Sequence, residues 1–311
     1  MRVLALTPRG YCHGVVHAIK VLKAIANDAS IIKPIYVLGM LVHNEKIKDD
    51  FNDLGIITLN DTSKTRYELL DQIDKGTVVF TAHGVSDQVI LKAQEKGLAV
   101  IDTTCKDVKA SQTTVKDYLN KGYSVIFIGI KNHPESETVA SYSDHVTIVE
   151  DINDVSRLPR NLDKVALTNQ TTMSMFDIYH LTEAMKKIYP NMVIIDELCD
   201  ATKTRQLAVK HQDKTIEHCF VVGDMRSNNS NKLVEVSKSV QIPSTLIQSI
   251  EDIPLDLIKT LNYVSVTSGA STPSQITKEV IDYLSRFDKN NPETFSNESQ
   301  VKKTNLFKNG K

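Results

Sequence analysis

Three of the four cysteines in this chain stand where a thiol could do chemistry rather than pack. Cys12 lies in Pro8-Arg9-Gly10-Tyr11-Cys12-His13-Gly14, after an apolar run at residues 3–6. A helical pattern follows it, with Val15, Ala18, Ile19, Leu22 and Ile25 on one face. Cys105 ends Asp102-Thr103-Thr104-Cys105, and Cys199 sits in Glu197-Leu198-Cys199-Asp200; each follows a strand-like run and precedes a helical pattern. The intervals between them are 93 and 94 residues. A thiol at such a junction points over a sheet edge, not into a core. Cys219, inside the apolar run His218-Cys219-Phe220-Val221-Val222, reads as a small buried hydrophobe. Three thiolates can hold an iron–sulfur cluster and leave one iron without a protein ligand. Such an iron is a Lewis acid with an open position.

The elements that must position these thiols alternate regularly. Strand-like runs occur at 35–38, 56–59, 77–81, 98–101, 123–130, 146–149, 164–168, 193–195, 219–222, 245–247 and 263–267. Helical patterns lie between most of them, among them 86–96, 107–120, 175–188, 201–211 and 273–287. This alternation predicts an α/β fold with mainly parallel sheets. The equal cysteine spacing predicts three similar α/β units, at residues 14–104, 105–198 and 199–287. Residues 1–13 supply an N-terminal strand and the Cys12 turn. Residues 288–311 are polar and are expected to be disordered or loosely draped.

Composition narrows the class. The chain has 311 residues, ample for a sizeable core. Its net charge of −1 predicts no nucleic-acid footprint. No apolar run approaches the ~20 residues of a membrane span, and no charged-then-apolar leader opens the sequence. A cytoplasmic protein without membrane association is expected, in which four cysteines are no disulfide framework. No G-x-G-x-x-G follows the first strand, which counts against a nucleotide-binding protein with structural cysteines.

Ligands of parallel α/β folds bind beyond the carboxyl ends of the strands. There this chain has His43-Asn44, Ala82-His83-Gly84, His133-Pro134-Glu135, Asn169-Gln170-Thr171-Thr172, Ser227-Asn228-Asn229-Ser230 and Gly269-Ala270-Ser271-Thr272. Several have plain structural readings: Ser271 or Thr272 caps a helix opening at Pro273, Thr171, Thr172 or Ser174 caps another, and the Ser-Asn run at 227–231 is a turn plus cap. Taken together, hydroxyls, amides and imidazoles at helix N-termini suit a phosphate. His133 and Glu135 can supply protons. Anion site, proton donor and open redox metal together suggest reduction of a phosphorylated small molecule.

These stretches, with Pro8-Arg9-Gly10-Tyr11-Cys12 and residues 199–206, run in order from residue 8 to about 275 and are matched by one family. The chain resembles the 4-hydroxy-3-methylbut-2-enyl diphosphate reductases of the non-mevalonate isoprenoid pathway. The resemblance implies a trefoil of three α/β units, pseudo-threefold around one 4Fe–4S cluster held by Cys12, Cys105 and Cys199. It implies that the substrate's diphosphate is bound by His43, His83, Ser227, Asn228, Asn229 and Ser271. His133 and Thr171 would complete the site near the allylic hydroxyl, which would meet the fourth iron, and Glu135 would be the proton donor. Isopentenyl and dimethylallyl diphosphate would be the products, and a ferredoxin or flavodoxin the electron source. The chain departs from the usual pattern at Lys106, where Pro is common, and at Asn132, Thr138 and Asn228. These departures leave a second expectation: a diverged paralogue with altered substrate, or a sensing protein that keeps the cluster and the anion pocket.

Overall fold

Among the described residues, twelve strands in three parallel sheets arise from the apolar runs. The computed structural model describes residues 1–307; the last four residues of the polar tail lie outside the described residues. The chain starts with β1 (Arg2–Ala5), α1 (His13–Ala26), β2 (Ile35–Leu38), α2 (Glu45–Asn52), β3 (Ile56–Leu59), α3 (Arg66–Leu69), β4 (Thr77–Phe80), α4 (Asp87–Glu95) and β5 (Ala99–Asp102). It continues with α5 (Lys106–Asn120), β6 (Ser124–Ile128), α6 (Pro134–Ala140), β7 (Val146–Val149), α7 (Ile152–Ser156), β8 (Val165–Asn169), α8 (Met175–Lys186) and β9 (Val193–Ile194). It closes with α9 (Asp200–Lys210), β10 (His218–Val222), α10 (Asn228–Ser239), β11 (Ser244–Ile247), α11 (Leu255–Ile258), β12 (Tyr263–Ser268) and α12 (Ser274–Arg286).

The three sheets share one strand order. It runs β3-β2-β4-β5 in the first and β7-β6-β8-β9 in the second; the third, read the same way, is β11-β10-β12-β1. The N-terminal strand is therefore the fourth strand of the sheet formed by the end of the chain, with Val3 opposite Val264. Central strands such as β4, β8 and β10 are buried at every residue. That is why they read as short, mostly apolar runs rather than alternating ones.

Two compact units contain these sheets. One comprises Met1–Val15, Val42–Phe51 and the described part of Asp200–Lys311. Its core joins Phe220, Val222, Val264 and Val266 of the sheet to Ile276, Val280, Tyr283 and Leu284, the apolar stripe of α12. Each such side chain contributes roughly 1.5–3 kcal/mol by leaving water. The other unit comprises Val16–Leu41 and Asn52–Cys199. Its cores include Leu38, Val78 and Phe80 with Val89 and Ala93 of α4, and Ile126, Ile128 and Leu167 with Leu181 and Met185 of α8.

Two expectations are corrected. Neither Ser271 nor Thr272 caps α12, whose N-cap is Pro273 with no side-chain hydrogen bond. The hydroxyls are used elsewhere: Thr272 donates to the Val222 carbonyl (2.9 Å) and Ser271 to Ser227 Oγ (3.4 Å). The tail up to Phe307 is docked rather than loose. Ser299 Oγ donates to Glu279 Oε2 at 2.7 Å, and the Gln300 and Val301 amides donate to Glu279 Oε1. Further on, the Leu306 amide donates to Asp50 Oδ2 (3.0 Å), and Phe307 stacks on Phe51 with centroids 4.4 Å apart. Asp50 also pairs with Lys46, so the described part of the tail is fastened to α2. Polar composition hid this because a few specific hydrogen bonds and one ring do the fastening.

Candidate active site

Each cysteine of the predicted trio occupies the same place in its sheet. Cys105 follows β5, Cys199 follows β9 and Cys12 follows β1, always the fourth strand, and each precedes a helix. Each backbone N–H donates to the residue two places beyond the end of the third strand: Cys105 to Ala82 O (3.0 Å), Cys199 to Thr171 O (3.1 Å) and Cys12 to Ala270 O (3.0 Å). The equal spacing in the sequence thus reflects one local device used three times. All three are half-buried and outside any disulfide, whereas Cys219 is buried. Burial pushes the Cys219 thiol up to about 11, against hydrogen bonds with Ser265, Ser237 and Gln212, so it stays protonated. Three accessible soft donors in equivalent turns fit the ligand set of an iron–sulfur cluster. Lys106, the first residue of α5 after its N-cap Cys105, stands where Pro is tolerated because that amide has no helical partner; Lys leaves the turn intact.

The Cys12 turn is held from two sides. Gly10 has φ +78°, and its N–H donates to Ser268 Oγ at 2.7 Å. Its carbonyl accepts from Arg205 Nη2 (2.7 Å), and Arg205 also donates to Ala201 O in α9. A Cβ at Gly10 would fall 2.3 Å from Ser274 Oγ, so both the conformation and the space require glycine.

In the same unit lie His43, Ser227, Asn228, Asn229 and Ser271. Ser227 caps α10, accepting from the Ser230 amide. Asn228 is the first residue of that helix, so its amide is one of those with no helical acceptor. Asn229 is anchored: its Oδ1 accepts from the Ala270 amide (3.2 Å) and its Nδ2 donates to Thr202 Oγ1 (3.1 Å). His43 precedes α2, which the Asn44 side chain starts by accepting from the Ile47 amide. Arg226 clasps the two loops, donating to Glu45 Oε1 (2.7 Å) and to Asp224 Oδ1 and Oδ2 (2.9 and 2.8 Å). Burial alone would raise the Asp224 carboxyl; the Arg226 hydrogen bonds, with the nearby His43, hold it below its usual range. Thr202 and Arg205 fall inside the matched 199–206 stretch but have no role assigned from it, and no local pattern signals the Arg226 clasp.

The other unit holds His83, Cys105, His133, Glu135, Thr171 and Cys199. Glu135 is 3% exposed in the first turn of α6. Its Oε2 accepts from the Thr171 amide at 3.0 Å. Desolvation raises this carboxyl to about 7, outweighing the hydrogen bonds from Thr171 that act to lower it. The same Thr171 carbonyl accepts the Cys199 N–H, so one residue joins the acid to a candidate ligand turn. Asn169 braces that loop, accepting from the Glu197 amide and donating to Gln170 O. His133 caps α6: its Nδ1 accepts from the Glu135 amide (3.2 Å), leaving the proton of the neutral ring on Nε2. The His83 ring meets it edge to face, centroids 5.4 Å apart.

Comparison with known proteins follows the same lines. A family model described as LytB protein matches residues 3–285. The 4-hydroxy-3-methylbut-2-enyl diphosphate reductase of Anoxybacillus flavithermus is 45% identical over 309 residues, covering 99% of this chain and 98% of the relative. That of Bacillus subtilis is 44% identical, covering 97% and 96%. The solved structure of the E-1-hydroxy-2-methyl-but-2-enyl-4-diphosphate reductase from Plasmodium falciparum superposes with a TM-score of 0.84 at 30% identity, covering 94% of this chain and 89% of that one. The chain belongs to the LytB family, the family of the 4-hydroxy-3-methylbut-2-enyl diphosphate reductases.

Proposed function

We propose that this protein removes the allylic hydroxyl of 4-hydroxy-3-methylbut-2-enyl diphosphate reductively. The carbon–oxygen bond breaks, two electrons and two protons are taken up, and water leaves. Isopentenyl and dimethylallyl diphosphate are the products. Held by Cys12, Cys105 and Cys199, a 4Fe–4S cluster would supply the electrons and an electrophilic open iron. A ferredoxin or flavodoxin is the proposed electron source, and the cytoplasm the proposed location; among the described residues no helix is long and apolar enough to cross a membrane.

The protein's own groups divide the remaining work. His43, His83, Ser227, Asn228, Asn229 and Ser271 bind and orient the diphosphate, with α10 presenting its N-terminal amides to the anion. His133 and Thr171 hold the hydroxyl end. Glu135 delivers the proton that turns hydroxide, a poor leaving group, into water. The observation that carries this reading is the Glu135 carboxyl, raised to about 7 by burial while fixed by the Thr171 amide. A general acid works best with a pKa near the operating pH, and a merely sensing protein needs no such tuning. The test is substrate-dependent oxidation of reduced methyl viologen by the anaerobically purified, cluster-loaded protein. A sustained rate is expected; no rate at full iron and sulfide content would overturn the reading.

A further inference from the structure

Arg66 has no place in the reaction as described, yet its guanidinium is spent inside the fold. It opens α3, a short helix whose start is fixed by a capping box between Thr65 and Glu68. From there its side chain donates to three acceptors: Nε to Leu38 O (3.3 Å), Nη1 to Gly84 O (3.2 Å) and Nη2 to Thr81 Oγ1 (3.2 Å). The approach needs Gly39, where φ is +85° and a Cβ would lie 3.0 Å from Nη2. The backbone is thus built to let this cation reach the loop after β4.

Thr81 is fully buried, and its Oγ1 lies 3.3 Å from His83 Nδ1. A hydroxyl has one proton and two lone pairs. With one lone pair taken by the Arg66 guanidinium, the positive charge on that side favours the arrangement in which the hydroxyl proton points the other way, to Nδ1. An Nδ1 that accepts is unprotonated, so the neutral ring carries its proton on Nε2. His133 reaches the same tautomer by another route, its Nδ1 accepting a backbone amide. A phosphoryl group offers only acceptors. It binds an Nε2–H and is repelled by an Nε2 lone pair.

We propose that Arg66 is a positioning residue which, through Thr81, holds His83 in the Nε2–H tautomer that donates to a phosphoryl oxygen of the substrate. This rests on the reading of His83 as a diphosphate ligand. Arg66→Met would strand the Leu38 and Gly84 carbonyls and endanger folding. Thr81→Val breaks the relay with little change of volume, and Thr81→Ser keeps it.

The test uses the anaerobic holoprotein with ring-¹⁵N histidine, inorganic pyrophosphate as the probe, and His83→Gln as reference and for assignment. In the parent and in Thr81→Ser, His83 should show a protonated Nε2. In Thr81→Val that preference should be lost, and pyrophosphate affinity should fall about tenfold, the size expected for one hydrogen bond to a charged acceptor. With substrate, KM should rise while kcat changes little. Retention of the Nε2–H tautomer and parent affinity in Thr81→Val, with affinity lost in His83→Gln, would overturn the relay while sparing the diphosphate reading. Parent affinity in His83→Gln would overturn that reading and the proposal with it.

Discussion

Replacing Glu135 by Gln separates the charge of this carboxyl from its shape. Gln keeps an oxygen for the Thr171 amide, which lies 3.0 Å from Glu135 Oε2, and is never ionised. Burial moves the carboxyl from its ordinary 4.5 to about 7. A displacement of that size favours the protonated form by about 3 kcal/mol. Because the folded-state value lies above the unfolded one, the stability this proton confers is complete below about 4.5 and is lost as pH rises through about 7. Glu135→Gln should therefore match the parent in urea unfolding near the lower value. It should become the more stable protein above the upper one, by up to about 3 kcal/mol. The parent-minus-variant infrared spectrum should show a protonated carboxyl band that disappears with a midpoint near 7. Parent turnover should decline above that pH, and the variant should lose about 10²–10⁴-fold below it, the usual share of a general acid, with the gap narrowing as the parent carboxyl ionises. A midpoint near 4.5, a stability gap that does not widen with pH, or near-parental turnover below about pH 7 would each refute the reasoning.

Cys105→Ser should lose iron and sulfide on anaerobic purification, whereas Cys219→Ser should keep both, because the Cys219 thiol is buried and hydrogen-bonded inside its sheet; metal and sulfide analysis decides, and equal loss would mean the wrong three thiols are assigned. Phe307→Ala should cost about 3 kcal/mol, the low end for a buried phenylalanine, since the ring is buried against Phe51. Hydrogen exchange should quicken in α2, and KM should rise through the neighbouring His43; unchanged exchange there would show that the tail does not brace this helix.

The sequence by itself determined the elements and the side chains on which the proposed chemistry rests. Strands fall within a residue or two of the apolar runs because parallel strands covered on both faces are buried at every position and so mostly apolar, as in β4 and β10. The three thiols were legible because cysteines among Gly, Thr and Asp at loop–helix junctions are out of place as packing residues. Glu135 and its neighbours stood out by side-chain type and by their place just after strand-like runs.

Only the tertiary structure decided which strands share a sheet and which polar groups fix one another. Nothing in residues 2–5 says that they pair with β12 at the far end of the chain. Nor does composition show that Asn229 is anchored by Thr202 and Ala270, that Arg66 reaches Thr81, or that Phe307 docks on Phe51. Periodicity and capping are local, set by neighbours a turn or a pleat away. A hydrogen bond between residues far apart leaves no local pattern, because each partner alone is an ordinary polar residue. The pKa of Glu135 follows the same division: the sequence supplies the carboxyl, and only the fold removes the water that would keep it acidic.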